Sequence, residues 1–413
     1  MEMFDDLRDV VIVGGGPAGL TTAAAMVRSD ARLRGRVIVV EKARYPREKI
    51  CAGAVGDRGW RFLDALGIAP DVPHVRVHGV SVCSTEGHLV ARPGHIGRVV
   101  RRVEFDCGLR EQVTALGVKV VDGVRVTGLE DCGTHVDVAT SAGHLKAAVV
   151  VGAGGVGCPV RRNLGLHAGA LRAMALEVDT PPIASDLSRE LIHFDASCRR
   201  YAGYVWDFPA VVDGEDVVCR GIYVLRPRSG AVADVSPDDG IDLEAELAVY
   251  LSDRGLDLST VRRKRFAERG FVPRDEVVGG RRVLVGESAG IDPVSGEGIA
   301  QAIEYGALAG RFLARWDGTS AGLQAWQQTL SRSRLGWDLF ARSWGVSLFY
   351  GQRRPRLERG FAGSQALLEA GARHWAGHAQ SPLSLMGGLG QALWSSMASA
   401  PQLAATSPNL LDG

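Results

Sequence analysis

An unbroken apolar run, Val10 to Val13, opens the pattern of the chain, as expected of a strand buried on both faces of a parallel sheet. GGGPAGL breaks the run, and TTAAAMVRSD behind it has the small residues of a helix that packs closely on such a sheet. A second apolar run, Val37 to Val40, ends at Glu41. From Glu41 to Val55 the pattern dissolves into a loop containing Pro46, and Trp60 to Leu66 predicts a short amphipathic helix. Alternation from Val75 to about Arg92 predicts antiparallel strands of an inserted layer. RVVRRVEFDCGLREQVTALG, from Arg98 onward, predicts a helix; VKVVDGVRVTGLE and THVDVAT predict successive strands, and LKAAVVVGAGG another buried one.

Between about Leu171 and Val272 strands dominate: LRAMALEV, YAGYVWDFPAVV and VVCRGIYVL, with DLEAELAVYLSDRG as an interposed helix. RRVLVGESAGIDPVSGEGIAQAIEYGALAGRFL then repeats the opening sequence of buried strand, glycine-rich turn and long helix. From Thr319 the pattern is helical, with Trp326, Trp337, Trp344, Trp375 and Trp394 spread over it. The fold class expected is α/β: a Rossmann-like domain built from discontinuous segments (1–75, 98–170 and 275–318). A β-rich substrate domain (76–97 and 171–274) and a helical C-terminal cap (319–413) complete it.

Composition narrows the function classes. The 413 residues are 46% apolar and 23% charged, with a formal net charge of +1. No overall field favours nucleic acid or an anionic membrane. The seven cysteines include no CxxC pair, so neither a zinc site nor a disulfide framework is expected. MEMFDDLRD lacks the basic n-region and apolar h-region of a signal peptide, and no 18 consecutive apolar residues occur. A cytoplasmic location is the expectation.

The chemistry begins at the first turn. Gly14, Gly16 and Gly19 form G-x-G-x-x-G between a strand and a helix, with Pro17 and Ala18 inside it, and an acid follows at Glu41 with Lys42 beside it. Gly14 permits the turn, Gly16 lets backbone approach a pyrophosphate, and Gly19 lets the helix sit against the sheet. Free N–H groups at the helix start then face the phosphates. Glu41 would accept hydrogen bonds from ribose hydroxyls, so the segment predicts dinucleotide binding. GESAG has the form of a serine-hydrolase elbow, but no triad partners accompany it. The HxxxH pairs His74/His78 and His374/His378 lack a third ligand, and no metal site is expected.

In order, GGGPAG, RYPREKICAGA, RVEFD, VGAGGVGCPVRR, YVWDFP and VGESAGIDPVSGEGI resemble the geranylgeranyl reductase family of FAD enzymes. That family lies within the p-hydroxybenzoate hydroxylase-like group of monooxygenases and halogenases. The resemblance implies FAD, held also by Gly286, Glu287, Pro293, Gly296, Gly298 and Ile299 of a second fingerprint, with Glu287 standing where the family has Asp. It implies that Arg102 reaches the FAD phosphates or ribityl chain, a task suited to a planar guanidinium. Gly154 and Cys158 replace the family's Asp and Ser, leaving Arg161 and Arg162 for phosphate or solubility. Cys51 would lie close to the flavin as a proton donor or positioning group, its pKa lowered by Arg47 or Lys49. Tyr204, Trp206 and Phe208 alternate along a strand and would wall the substrate pocket, with Asp207 pointing away into solvent.

The function so implied is FAD-dependent hydride transfer to a double bond of an apolar, prenyl-like substrate. The alternative is monooxygenation of an aromatic or polyketide-like substrate. Halogenation is disfavoured because only one tryptophan of the W-x-W-x-I-P motif is present, and a non-redox flavoprotein is the remaining class. NAD(P)H, bound transiently, or an electron-donor protein would supply electrons. The C-terminal helices are expected to cap the core rather than to lie against a membrane.

Overall fold

The computed structural model describes residues 7–378, apart from 167–168, 199, 230, 233–234, 236–239, 353 and 363. Trp394 and the part of the expected cap beyond residue 378 lie outside the described residues.

The two opening apolar runs become the strands Leu7–Val13 and Val37–Val40, paired in parallel. The parallel order continues outward through Lys119–Val121 on one side and through Gly143–Gly152 and Arg282–Leu284 on the other. Val126–Asp131 and Val136–Thr140 form an antiparallel extension on Gly143–Gly152. The helix Pro17–Ser29 is buried at every residue from Pro17 to Val27. It can lie so deep because the partner helix, Ile299–Leu313, presents glycine to it. A Cβ on Gly306 would sit 1.9 Å from Thr21 Oγ1, and one on Gly310 would sit 2.5 Å from the Ala25 Cβ. This close packing places the two helix N-termini side by side at the carboxyl edge of the sheet, where α/β sheets bind ligands.

The second sheet runs in the order Lys264–Arg269, Leu171–Thr180, Glu215–Pro227, Gly203–Val212, Leu191–Asp195, Gly79–Ser84, Gly87–Ala91. Two of these strands escape the sequence pattern. Leu191–Asp195 pairs in parallel with Gly79–Ser84 and antiparallel with Gly203–Val212, joining the inserted hairpin to the main layer. Lys264–Arg269 (KRFAER) is a charged edge strand, with the composition that discourages further pairing but hides the strand from a hydrophobicity reading.

A small third sheet, Ala54–Gly56, Gly97–Val100 and His74–Val77, corrects one expectation. The helix assigned from Arg98 starts only at Arg102, because Val99 and Val100 are buried in strand pairs and Arg101 is extended. Tertiary pairing here overrides a helical pattern, as β-branched residues permit. The C-terminal helices Ser320–Leu323, Ala325–Arg332, Arg334–Tyr350, Arg354–Ala362 and Gln365–Trp375 close over both sheets. Trp326 is fully buried and donates from Nε1 to the Leu284 carbonyl (3.1 Å), and Trp375 packs beneath Gly56 and Gly97. Trp337 and Trp344 are exposed. Among the described residues no helix is long and apolar enough to cross a membrane.

Candidate active site

At the first glycine turn Gly14 adopts φ +118°, and a Cβ there would lie 2.4 Å from the Ala153 carbonyl oxygen. A Cβ on Gly19 would lie 2.0 Å from the Gly14 oxygen, so helix and turn meet at backbone distance. Gly16 caps the helix without a side chain, leaving the first amides to the turn. Glu41 is pinned from behind by the amides of Gly15 (2.8 Å) and Ala43 (3.0 Å), one on each carboxylate oxygen. A second lone pair on each oxygen remains to accept from ribose. Lys42, next to it, is exposed.

Two guanidinium groups flank the same turn. Arg47 Nη2 and Arg102 Nη2 lie 3.4 and 3.8 Å from where a Cβ on Gly16 would sit. Both are held by the buried carboxylate of Asp106, at 2.7 Å from Arg47 and at 2.7 Å twice from Arg102. Two cations sharing one anion leave a net positive charge beside a helix N-terminus, the environment a diphosphate requires. Arg47 and Asp106 were not assigned to this role from sequence. The i,i+4 spacing of Arg102 and Asp106 on a helix was the available signal.

The second fingerprint is longer than a simple turn. After Arg282–Leu284 the chain makes one 3-10 turn, Gly286–Ser288, and then runs through Asp292 to Gly298 before the helix Ile299–Leu313. Gly286 (φ +59°) leaves room for the Ala18 methyl, which ties the two fingerprints together. Glu287 Oε2 reaches to 3.0 Å from where a Cβ on Gly155 would sit. Asp292 is buried and accepts from the amides of Val294 (2.7 Å) and Ser295 (3.2 Å). Three tyrosines then hold three successive carbonyls: Tyr223 donates to Pro293 (2.9 Å), Tyr350 to Val294 and Tyr204 to Ser295. Gly298 begins the helix with no side-chain cap.

Behind this loop lies a buried ion network. Arg342, from the cap helix Arg334–Tyr350, bonds Asp292 and lies 3.3 Å from Glu297 and 3.1 Å from Asp338. Arg58 joins Asp338 at 2.9 Å, and His374 Nε2 donates to Asp338 at 2.7 Å. Although burial works against it, the His374 bond with Arg342 and Arg58 holds the Asp338 carboxyl well below the usual carboxylate range. The C-terminal helices are therefore bolted to the cofactor loop, which sequence reasoning did not foresee.

Between the loop and the second sheet is a cavity of about 580 Å³. Cys51, Tyr204, Trp206, Phe208, Pro293's neighbour Val294, Gly296, Gly298 and Ile299 all line it. Tyr204, Trp206 and Phe208 form one aromatic row, with centroid separations of 6.2 and 6.3 Å, and Tyr204 stacks on Tyr223 at 5.1 Å. Asp207, on the opposite face, is not solvated as expected. It accepts from Tyr250 (2.9 Å) and pairs with Arg220 (2.9 Å), because the far side of the sheet carries its own helix. The Cys51 expectation also needs correction. Burial pushes its thiol up, and Arg102 rather than Arg47 or Lys49 is the main opposing cation. Within the cavity Glu268 Oε2 and, at the helix start, Gln301 Nε2 are buried without a hydrogen-bond partner.

The other sequence candidates do not converge. Arg161 is committed to the Ser288 carbonyl (3.1 Å) and to Asp275, so it clamps the fingerprint loop instead of meeting phosphate, and Arg162 donates to the Gly157 carbonyl (2.9 Å). Ser288 is buried, with its hydroxyl on the Gly155 carbonyl at 3.4 Å, and is no nucleophile. His374 and His378 face different carboxylates, Asp338 and Asp57. His74 faces the Val72 carbonyl, and His78 faces Glu190.

The glycine turn, the paired guanidinium groups, the uncapped helix starts and the unpartnered Gln301 amide fit FAD. Glu41, Gly16 with Arg102, and Gly296 with Gly298 would hold its successive parts. Residues 8–314 match the family model described as an FAD binding domain. The chain is 28% identical over 333 residues to the menaquinone reductase of Mycobacterium tuberculosis, covering 75% of this chain and 77% of the relative. It is 26% identical over 329 residues to digeranylgeranylglycerophospholipid reductase 1 of Methanococcoides burtonii, covering 75% of each. In fold it is similar to a geranylgeranyl bacteriochlorophyll reductase-like protein of Thermoplasma acidophilum, at a TM-score of 0.62 and 17% identity over 95% of this chain and 98% of that one. The resemblance read from the motifs is borne out: the chain belongs to the FAD binding domain family and is an FAD-dependent oxidoreductase.

Proposed function

We propose that this oxidoreductase reduces a carbon–carbon double bond of an apolar, prenyl-like substrate. The observation that carries the reading is the cavity of about 580 Å³, whose aromatic and aliphatic walls meet the FAD loop at Gly296 and Gly298. A volume of this size suits a ligand of roughly drug-like dimensions, and the acids Asp292, Glu297, Asp338 and Glu358 that line it are engaged by Arg342 or Arg354. Bound FAD supplies a two-electron, hydride-donating centre. The chain's share is binding, orientation and exclusion of water. The row Tyr204, Trp206 and Phe208 forms a flat apolar wall, while Phe194 packs edge-on to two of these rings at 5.2 Å and keeps the wall rigid. The Tyr204, Tyr223 and Tyr350 hydroxyls fix the loop carbonyls, so the cavity floor does not shift as substrate enters. The names of the two curated relatives, both reductases, support reduction over oxygenation.

The test is incubation of the reduced, FAD-loaded protein with geranylgeranyl-bearing lipids and with menaquinone, followed by mass spectrometry. A gain of two hydrogens placed by fragmentation in the isoprenoid chain supports the reading, and a gain confined to the quinone ring counts against it. Incorporation of labelled oxygen from dioxygen would replace it with monooxygenation.

A further inference from the structure

We propose that Glu268 is a catalytic acid of this site: a neutral carboxyl that protonates one substrate carbon as hydride is added to the other. The inference rests on the double-bond reduction proposed above.

Glu268 lies on the edge strand Lys264–Arg269, opposite Ala173 of the neighbouring strand. Alternation turns Phe266 and Glu268 to the same side, and both line the cavity. The carboxyl abuts the cofactor loop: a Cβ on Gly296 would lie 2.6 Å from Oε2. That loop leads directly into the helix start at Gly298 that would face the flavin, so Glu268 stands at the junction of cofactor and substrate.

What sets it apart from the other acids that line the cavity is the want of an ion pair, since both Glu297 oxygens likewise lack a hydrogen bond and Glu358 pairs with Arg354 at 2.6 Å. Asp292, Glu297 and Asp338 are each close to Arg342, at 3.3 Å or less, and Asp338 also to Arg58. Among the described residues Glu268 has no ion pair, and its Oε2 has no hydrogen-bond donor. The groups that act on it are Glu287, Asp292 and Glu177, with Lys49 as the opposing cation, and the Cys51 thiol and the Tyr204 and Tyr223 phenols also feel its charge. The residue is half-buried but its Oε2 is enclosed, and an enclosed carboxylate oxygen without a donor is costly, which favours the neutral form. Burial, then Glu287, pushes its carboxyl well above the usual range, with Lys49 opposing. Burial raises the Cys51 thiol as well, so the carboxyl and the thiol both stand protonated beside the loop, and only the carboxyl abuts Gly296.

The step balances. Bound, reduced FAD would supply the hydride, and with it both electrons, for the first new C–H bond. The π pair of the double bond then takes the Glu268 proton to form the second, and the O–H bond of the acid breaks. Glu268 is left as carboxylate and is restored by a proton from water.

The test pairs a substrate-free readout with turnover, using FAD-loaded protein and Glu268→Gln. Infrared difference spectra at neutral pH should show a protonated-carboxyl C=O band, shifted in D2O, that Glu268→Gln removes and Glu177→Gln leaves in place. Glu268→Gln should keep FAD and KM while slowing reduction by roughly 100-fold or more, the usual range for loss of a general acid. Glu268→Asp should recover part of the rate. Loss of carboxylate bands in place of the C=O band, or an unslowed Glu268→Gln, overturns the assignment of Glu268. A wild-type protein that carries the C=O band but oxygenates the substrate overturns the reduction reading instead, and the donor role with it.

Discussion

Arg342→Met cuts the tie between the C-terminal helices and the cofactor loop. Arg342 serves three carboxylates: Asp292, Glu297 at 3.3 Å and Asp338 at 3.1 Å. Asp338 keeps Arg58 and His374 after the substitution, so the loss falls on the other two. Asp292, fully buried at the side chain, retains only its amide and hydroxyl donors, and Glu297 retains Arg58 at 3.9 Å. Removing one partner of a buried pair costs about 3–5 kcal/mol, because the orphaned charge stays desolvated. At about 2.1 cal/mol/K per residue, a chain of this length unfolds with an entropy of roughly 0.9 kcal/mol/K, so Tm should drop by about 3–6 °C. FAD should be released more readily, because Asp292 shapes the loop that leads to Gly298. Differential scanning fluorimetry with flavin emission as a second channel reads both effects. The pH dependence follows from Asp338, whose carboxyl is held low in the folded protein. Its contribution is present at neutral pH and is lost only as pH falls below the unfolded carboxylate range, near about 4. Because Asp338 keeps Arg58 and His374, wild type and variant should share this acid limb. A variant that melts within about 1 °C of wild type and keeps its FAD would refute the bolted-cap argument.

Gly16→Leu fills the space between the Arg47 and Arg102 guanidinium groups and should yield colourless protein; a fully flavin-loaded variant would remove the diphosphate assignment. Cys51→Ala should retain FAD but slow turnover on the true substrate, and unchanged kinetics would take Cys51 out of the chemistry. Glu177 is pushed up to about 7 by burial, against Lys264 and Arg101. The folded state keeps this proton while the unfolded chain loses it near about 4.3, so stability falls as pH rises between these values, by about 4 kcal/mol, and levels off above 7. Glu177→Gln should flatten the dependence of Tm on pH over that interval, and an unaltered slope in chemical or thermal unfolding would count against it.

Much of the cofactor half of the site was legible because its signals are local. Gly14 and Gly19 are required by backbone contacts of 2.4 and 2.0 Å, and such contacts leave glycine as their trace in the sequence. The aromatic row was legible for a similar reason, since a period of two places Tyr204, Trp206 and Phe208 on one face whatever that face meets. What they meet was not legible. The Tyr204 hydroxyl bonds the Ser295 carbonyl 91 residues away, and Asp207 finds Tyr250 and Arg220. The strand Lys264–Arg269 was missed because an edge strand needs charge more than it needs apolar residues.

By itself, then, the sequence determined the parallel sheet, the two glycine-rich helix starts and the identity of the cofactor. Continuous apolar runs and obligatory glycines are consequences of backbone geometry, and that geometry repeats within a few residues. Only the tertiary structure decided that Asp106 joins Arg47 to Arg102, that Arg342 ties the cap to Asp292, and that Glu268 stands unpaired against Gly296. The choice of partner for a buried charge depends on which distant segment arrives beside it. No periodicity in the chain records that arrival.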